Sequence, residues 1–289
     1  MRDIHHCHPN KPLQILSLIV IRYEYQVFVK QPSVVQWARI CGGAMYNLTI
    51  AHLYPEQMNI YGDRGNIITL RQRCAWREIT TTLIPVMPGS SIDWQSVDLA
   101  FFGGGQDSGQ ALIAADFVEH QAEPLRRAAE TGMVLLAICG GYQLLGHYFL
   151  THTGEKLPGI GLLDVHTVGS TQRLIGNLLI EANWGTGRQT LVGFENHSGG
   201  TFLGKGVKPL GKVLAGHGNN GKDGSEGAVW QNVIGCYMHG SLLPKNPHFA
   251  DHLLELALQR RYGSSTILSP LDDQLELAAH STMVERLQR

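Results

Sequence analysis

The sequence has no excess of either charge and no long uncharged apolar run. Lysine and arginine total 23 against 24 aspartate and glutamate residues, which gives a formal net charge of −1. A chain without an excess of positive charge does not attract nucleic acid or an anionic membrane surface, so we expect neither partner. The apolar run 13–29 is interrupted by Arg22 and Glu24 and lacks the layout of a signal peptide. We therefore predict no integral membrane segment.

Paired cysteines and phosphate-binding signatures are also scarce. The five cysteines are widely spaced and never form a Cys-x-x-Cys pair, which argues against a disulfide framework or structural zinc and favours a reducing cytoplasm. The glycine run 103–105 is not followed by GK[ST] and is not part of a GxGxxG motif, so a nucleotide site there is disfavoured. We interpret the histidine-rich segment 5–8 as adventitious and His248 and His252 as helix-surface positions, and we predict no metal site.

A strand-to-helix elbow at residues 133–146 is the feature around which the sequence is organised. Residues 133–138 are uncharged and apolar, and Cys139 follows them directly, before Gly140, Gly141 and an apolar pattern of helical spacing. This pattern predicts a buried parallel strand, a tight turn that carries the cysteine, and a helix. A helix N-terminus favours a thiolate, so we interpret Cys139 as a candidate nucleophile. The alternative is a buried structural cysteine.

Strands and helices alternate along most of the chain, which predicts an α/β fold with a mostly parallel sheet. Strands are expected near residues 48–54, 79–84, 97–102, 133–138, 159–164, 174–180, 191–199 and 233–239, with a polar turn closing the segment 191–199. Helices are expected near residues 66–77, 110–130 with a bend at Pro124, and 247–261. Residues 216–227, rich in Gly, Asn and Asp, are predicted to form a mobile loop.

Composition divides the chain into three parts. Residues 1–45 are predicted to be an N-terminal extension, because a well-patterned strand begins only after Met45. Residues 46–262 form the predicted main domain, and residues 263–289 form a tail with one apolar helical stripe.

Histidines provide the candidates for a general base. The strand near residue 235 is expected to deliver His239 to the carboxyl edge of the sheet, where ligands collect in open α/β folds. Cys139 and His239 together are the minimum for acyl transfer from an amide or an ester, because the imidazole takes the thiol proton and later donates it to the leaving amine. His197 and His217 remain alternative bases.

Several motifs resemble one family of enzymes. Residues 137–146, AICGGYQLLG, resemble the nucleophile elbow of class I (triad-type) glutamine amidotransferases. Residues 193–197, GFENH, and 237–240, YMHG, resemble the cobyric-acid-synthase-like branch of that class. Within this branch, residues 50–66 and 173–177 are similar to the GatD-type glutaminase subunit of lipid II isoglutaminyl synthase. The resemblance implies a flavodoxin-like three-layer sandwich with a mostly parallel sheet.

The resemblance also implies an activity. L-glutamine would be hydrolysed to glutamate and ammonia through a thioester on Cys139, with His239 as the base. The ammonia would pass to a Mur-ligase-like synthetase of the MurT type, which amidates the α-carboxyl of D-glutamate in the stem peptide of lipid II. This chain would then need no cofactor, whereas ATP and Mg²⁺, with lipid II as the acceptor, would belong to the partner.

Residue by residue, the resemblance assigns a binding role to three further positions. Arg173 matches the position that holds the glutamine α-carboxylate, a task suited to a planar fork of donors. Backbone N–H groups of Gly104 and Gly140 would stabilise the tetrahedral oxyanion.

The sequence departs from the wider class at the third catalytic residue. Most class I enzymes carry His-x-Glu, whereas His239 is followed by Gly-Ser. No acid that orients the imidazole is evident in the chain, which raises the hypothesis that the partner supplies a carboxylate and that glutaminase activity depends on complex formation. Asp63, Glu195 and His197 are supporting candidates. Asp63 matches an acidic position of the subfamily, but its role does not follow from the sequence.

Two other functions stay open. The same chemistry could serve another ATP-dependent amidation, such as that of cobyrinate, although that branch usually fuses its synthetase domain and this chain has no GK[ST] motif. The chain could also be a catalytically inactive binding module of the same fold. Labelling of Cys139 by a glutamine-analogue alkylator separates an enzyme from an inactive module.

Overall fold

The computed structural model describes residues 46–184 and 187–289, and the predicted extension and Met45 lie outside them. The first half of the described chain contains β1 (Asn47–Leu53), α1 (Arg64–Ala75), β2 (Thr80–Val86), β3 (Leu99–Phe102), α2 (Asp107–Asp116), α3 (Ala122–Glu130), β4 (Val134–Ile138), α4 (Gly140–Leu145), β5 (Tyr148–Leu150) and β6 (Lys156–Pro158). The second half contains β7 (Val165–Trp184), β8 (Gly187–Leu203), β9 (Gly211–Ala215), β10 (Ser225–Glu226), β11 (Ala228–Trp230), β12 (Val233–Cys236), α5 (Leu242–Lys245), α6 (Pro247–Tyr262) and α7 (Gln274–Leu287).

A mostly parallel sheet with the order β11–β12–β4–β3–β1–β2 organises the fold. Every neighbouring pair is parallel except β11 with β12. The central strands β3 and β4 are buried along their whole length, because their uncharged apolar residues are covered on both faces. The α/β prediction is confirmed. No helix of the described chain is both long and apolar enough to cross a membrane.

A second sheet, which the sequence did not predict as a unit, lies in the order β10–β9–β7–β5–β6, with β8 paired to β7. The expected strand at 159–164 is wrong, because these residues turn into β7 and only Val165 begins the ladder. The polar turn expected to close the segment 191–199 is also wrong. There β8 runs on to Leu203, since Gly199 and Gly200 continue to pair with β7.

Two further expectations are corrected by local hydrogen bonding. The helix expected at 110–130 is broken by a π-helical turn at Phe117–Gln121, so the irregularity precedes Pro124 instead of occurring at it. The segment 216–227 is partly buried and bonded, not an open loop. The Asn219 amide, itself buried, donates to Ser225 Oγ and to Gly227 O.

A buried arginine joins the tail to the main domain. The side chain of Arg73, on α1, is fully buried and reaches Asp251 on α6 and Asp273 just before α7. Its Nε–Asp251 Oδ1 distance is 2.6 Å, and its Nη1–Asp273 Oδ1 distance is 2.7 Å. Arg77 adds a second contact to Asp251 at 2.6 Å. A planar guanidinium with two carboxylates thus holds three helices in register.

Replacing Arg73 by methionine is expected to lower the free energy of unfolding by about 3–5 kcal/mol, because the partly buried Asp273 loses its ion pair with Arg73 and Asp251 keeps only Arg77. Urea denaturation measures this difference. Arg127→Met is the matched control, since Arg127 pairs with Glu123 while its side chain is 66% exposed. That control should change the free energy by less than about 0.5 kcal/mol. Equal losses of unfolding free energy in the two variants would contradict the stabilising role of the buried Arg73 ion pairs.

Candidate active site

Cys139 lies at the turn between β4 and α4, and the predicted strand, turn and helix are confirmed. Its backbone has φ 48° and ψ −104°, a conformation strained for a residue with a side chain. The Cys139 N–H donates to Cys236 O at 2.8 Å, so the elbow begins where the pairing of β4 with β12 ends. The residue is 5% exposed and lines a cavity of about 400 Å³, so the thiol is not sealed beneath side chains.

Two glycines let the elbow pack tightly. A Cβ on Gly140 would lie 2.9 Å from Gly105 N, and one on Gly141 would lie 2.7 Å from Phe102 O. Atoms do not approach that closely without displacement, so a larger residue at either position would move Cys139 or the loop after β3.

His239 follows β12 and is held by β8 across an antiparallel bridge. Its N–H donates to Phe194 O at 2.7 Å, and the Phe194 N–H donates back at 3.2 Å. Burial lowers the pKa of the His239 ring, but the nearby Cys139 sulfur and the Asp63 carboxylate outweigh burial and raise that pKa to about 10. Both neighbours thus favour the protonated form of the ring. The cysteine and the imidazole meet at the same sheet edge, as the sequence predicted.

An acid from the chain itself faces this imidazole. Asp63, at the start of α1, is fully buried, and its carboxylate oxygens lie 3.3 and 3.4 Å from His239 Nδ1. The expectation that no orienting acid is present in the chain is wrong. The sequence alone did not indicate this pairing, because Asp63 and His239 are 176 positions apart. The Lys245 ammonium adds positive charge near Asp63, although burial lowers the pKa of Lys245 to about 8.

The Gly104 N–H was expected to bind the oxyanion, but it already has a hydrogen-bond acceptor in the chain. It donates to Asp63 Oδ2 at 2.7 Å. Gly105 N–H makes no hydrogen bond within the described chain, and Gly105 N lies 2.9 Å from the position that a Cβ on Gly140 would take. Gly140 itself starts α4, where the first N–H groups of a helix have no intrahelical acceptor. The free donors beside Cys139 are therefore those of Gly105 and Gly140.

Arg173 lines the same cavity as Cys139, on the opposite sheet. It lies in an irregular part of β7, where the register with β8 jumps between Gly169 and Leu174. Its Nε and Nη2 both donate to Asn196 Oδ1, at 3.0 and 2.7 Å. The structure therefore brings a guanidinium to the cavity, as the resemblance implied.

The other supporting candidates, Glu195 and His197, are buried next to each other, with His197 Nε2 3.5 Å from Glu195 Oε2, and His197 lines the cavity. Glu195 accepts the N–H groups of His217 and Gly218 at 2.6 and 2.9 Å, so it holds the glycine-rich loop and not the His239 ring. His197 stacks on Tyr237 with ring centroids 3.6 Å apart. Its Nδ1 donates to Gly199 O at 2.7 Å. The His197 ring is thus held by Tyr237 and Gly199, and His217 does not line the cavity, which leaves His239 as the histidine that contacts the Cys139 sulfur.

Sequence reasoning missed a chain of amides in the cavity wall. Gln110 Nε2 donates to Gln143 Oε1 at 3.0 Å, and Gln143 Nε2 donates to the Tyr237 hydroxyl at 3.1 Å. Gln110 and Gln143 lie on two different helices, and Tyr237 follows β12. Gln143 and Tyr237 belong to the motifs 137–146 and 237–240, but no sequence signal links them to Gln110 or to each other.

No group of three or more metal-ligating side chains occurs in the described part of the chain. His248 and His252 instead stack on Trp184, with ring centroids 5.9 and 5.7 Å away. The histidine-rich segment 5–8 lies outside the described residues.

A cysteine on a strained elbow, an imidazole beside it and a buried carboxylate behind that imidazole define a thiol-dependent acyl-transfer site. The chain belongs to the CobB/CobQ-like glutamine amidotransferase domain family, which matches residues 49–247. It is a glutamine amidotransferase.

Three curated relatives illustrate the similarity. The chain is 40% identical over 246 residues to the GatD subunit of lipid II isoglutaminyl synthase (glutamine-hydrolyzing) from Staphylococcus aureus strain N315, covering 85% of this chain and 98% of that one. It is 40% identical over 235 residues to the GatD subunit from Streptococcus pneumoniae R6, covering 81% and 89%. Cobyric acid synthase from Pelotomaculum thermopropionicum is 33% identical over 204 residues, covering 66% of this chain but 38% of that enzyme.

Proposed function

We propose that this chain is the glutaminase subunit of a two-protein amidotransferase that amidates lipid II. The observation that carries this proposal is that the buried His239 ring contacts Asp63 and also Cys139, which lines the cavity. The near full-length similarity to the two GatD subunits supports lipid II as the eventual acceptor.

In the first half of the reaction, the Cys139 thiolate attacks the side-chain carbonyl carbon of L-glutamine. The N–H groups of Gly105 and Gly140 receive the developing oxyanion, and Arg173 binds the α-carboxylate. His239 carries the proton taken from the thiol, and it donates this proton to the amide nitrogen as the C–N bond breaks. Ammonia leaves, and a thioester remains on Cys139.

In the second half, His239 takes a proton from water, and the hydroxide attacks the thioester carbon. Collapse of this intermediate breaks the C–S bond, releases glutamate and returns the thiolate. Asp63 holds the ring through Nδ1 during both proton transfers, so Nε2 stays directed at the sulfur side. Among the described residues Nε2 has no other hydrogen-bond partner.

The synthetase part of the reaction belongs to a partner in this proposal. A Mur-ligase-like subunit of the MurT type would bind ATP, Mg²⁺ and lipid II, activate the α-carboxyl of D-glutamate, and receive the ammonia. The glutaminase half needs no cofactor, since the thiol and the imidazole supply the nucleophile and the proton carrier. A cytoplasmic location is part of the same proposal.

Co-purification with the synthetase, followed by assay of glutamate release with and without it, tests the function. We expect glutamate release that is coupled to amidation of lipid II when ATP is present. Amidation of cobyrinate instead of lipid II would contradict the proposed acceptor and support the alternative function in cobyrinate amidation. No glutamate release and no labelling of Cys139 by a glutamine-analogue alkylator, even in the complex, would make it an inactive module.

A further inference from the structure

A bridge of three side chains spans the cavity mouth, and its centre is Asn196 on β8. Asn196 Oδ1 accepts from Arg173 Nε and Nη2, and Asn196 Nδ2 donates to the Tyr61 hydroxyl at 2.7 Å. Arginine only donates, so the amide oxygen must face Arg173 and the amide nitrogen must face Tyr61. The orientation of the amide is therefore determined by its neighbours.

Arg173 needs such a support because its backbone is weakly held. On β7 four residues, 170–173, stand between the paired positions Gly169 and Leu174, whereas β8 has only Ser198 in the matching gap. The bulge lacks a regular ladder, and its residues are exposed. A long side chain on such a segment samples many rotamers unless hydrogen bonds select one.

The other end of the bridge contacts the catalytic side of the cavity. The Tyr61 ring meets the His239 ring edge-on, with centroids 5.0 Å apart. Asn196 thus connects the guanidinium that we assign to the α-carboxylate with the side chain that covers the imidazole. These two points correspond to the two ends of a glutamine molecule.

We propose that Asn196 is a positioning residue for substrate recognition, which aims Arg173 at the substrate α-carboxylate and sets its distance from His239. This inference rests on the proposed glutaminase function. Asn196 acts by pre-organisation, because a guanidinium already held in its binding direction loses less conformational entropy when the carboxylate arrives.

Steady-state glutamate release from the complex with the synthetase tests this role. Asn196→Ala is expected to raise KM for L-glutamine about tenfold, the usual effect of losing a charge-assisted hydrogen bond, while kcat changes less than about twofold. Glutamine α-amide, which lacks the α-carboxylate, should show the same KM with Asn196→Ala as with the unmodified chain. A loss of general packing would instead affect both substrates.

Two further variants sharpen the test. Tyr61→Phe keeps the ring against His239 but removes one bridge contact, so its KM should rise less than that of Asn196→Ala. Asn177→Ala, an exposed asparagine on the same strand pair, is the matched control and should leave both constants unchanged. An unchanged KM in Asn196→Ala, with normal glutamate release by the unmodified chain, would overturn this inference alone. Absence of release by the unmodified chain would instead overturn the proposed function.

Discussion

Replacing Cys139 by alanine is expected to abolish glutamate release, with a fall in kcat of at least about 10⁴-fold. No other group at the elbow can form the thioester, because the N–H donors and the imidazole only assist a nucleophile. Release of glutamate from L-glutamine by the complex measures the effect. Residual hydrolysis near the level of the unmodified chain would show that another residue is the nucleophile.

The matched control is Cys74→Ala. Cys74 is also buried, on α1, but it packs in the core and does not line the cavity. This variant should keep glutaminase activity. A second control adds ammonium chloride to the Cys139→Ala complex, which should restore amidation of the acceptor, since the synthetase half is untouched. If neither glutamine nor ammonia supports amidation by the Cys139→Ala complex, the substitution has disrupted assembly with the synthetase and has not only removed the nucleophile.

Replacing Asp63 by asparagine is expected to lower kcat about 10²–10⁴-fold, because a carboxamide presents an N–H to His239 Nδ1 and favours the wrong tautomer. Asp63→Asn preserves the shape of the side chain, so the loss reports on charge and hydrogen-bond direction. The measurement is glutamate release by the isolated chain and by the complex. Full activity of the variant in the complex would mean that the partner supplies the orienting carboxylate.

The same substitution has a pH signature. The pKa of His239 is raised from 6.5 to about 10, so the charged ring contributes stability that is fully present below about pH 6.5 and is lost as pH rises toward 10. Asp63→Asn removes part of that shift, so its free energy of unfolding should fall less between about pH 7 and about pH 9.5. The control is Asp93→Asn, which replaces a carboxylate that accepts the Gln95 N–H. In this variant the free energy of unfolding should change with pH as it does in the unmodified chain.

The elbow could be predicted from the sequence because the residues that form it are neighbours in the chain. The uncharged run before Cys139 identifies a strand buried on both faces, and Gly140 and Gly141 are the residues that the tight packing there requires. The position of His239 at the same edge followed from the rule that parallel strands present their carboxyl ends together. Both conclusions depend only on short segments and on sheet geometry.

The second sheet was less predictable. Glycine and polar residues in β8 suggested a turn, yet β7 supplies a partner along nearly the whole strand, and tertiary pairing overrides local preference. The polar loop 216–227 looked open for the same reason. Its buried asparagine hydrogen bonds became visible only with their partners in place.

The sequence by itself predicted a thiol on an elbow and an imidazole at a strand end, and the family resemblance added the guanidinium of Arg173. Only the tertiary structure decided how these groups are supported. Asp63 reaches His239 from the start of α1, the Gly104 N–H is consumed by that same carboxylate, and Asn196 joins Arg173 to Tyr61. The physical reason is that a hydrogen bond depends on distance and direction in space, and these residues, 23 to 176 positions apart, acquire both only when the sheets have formed.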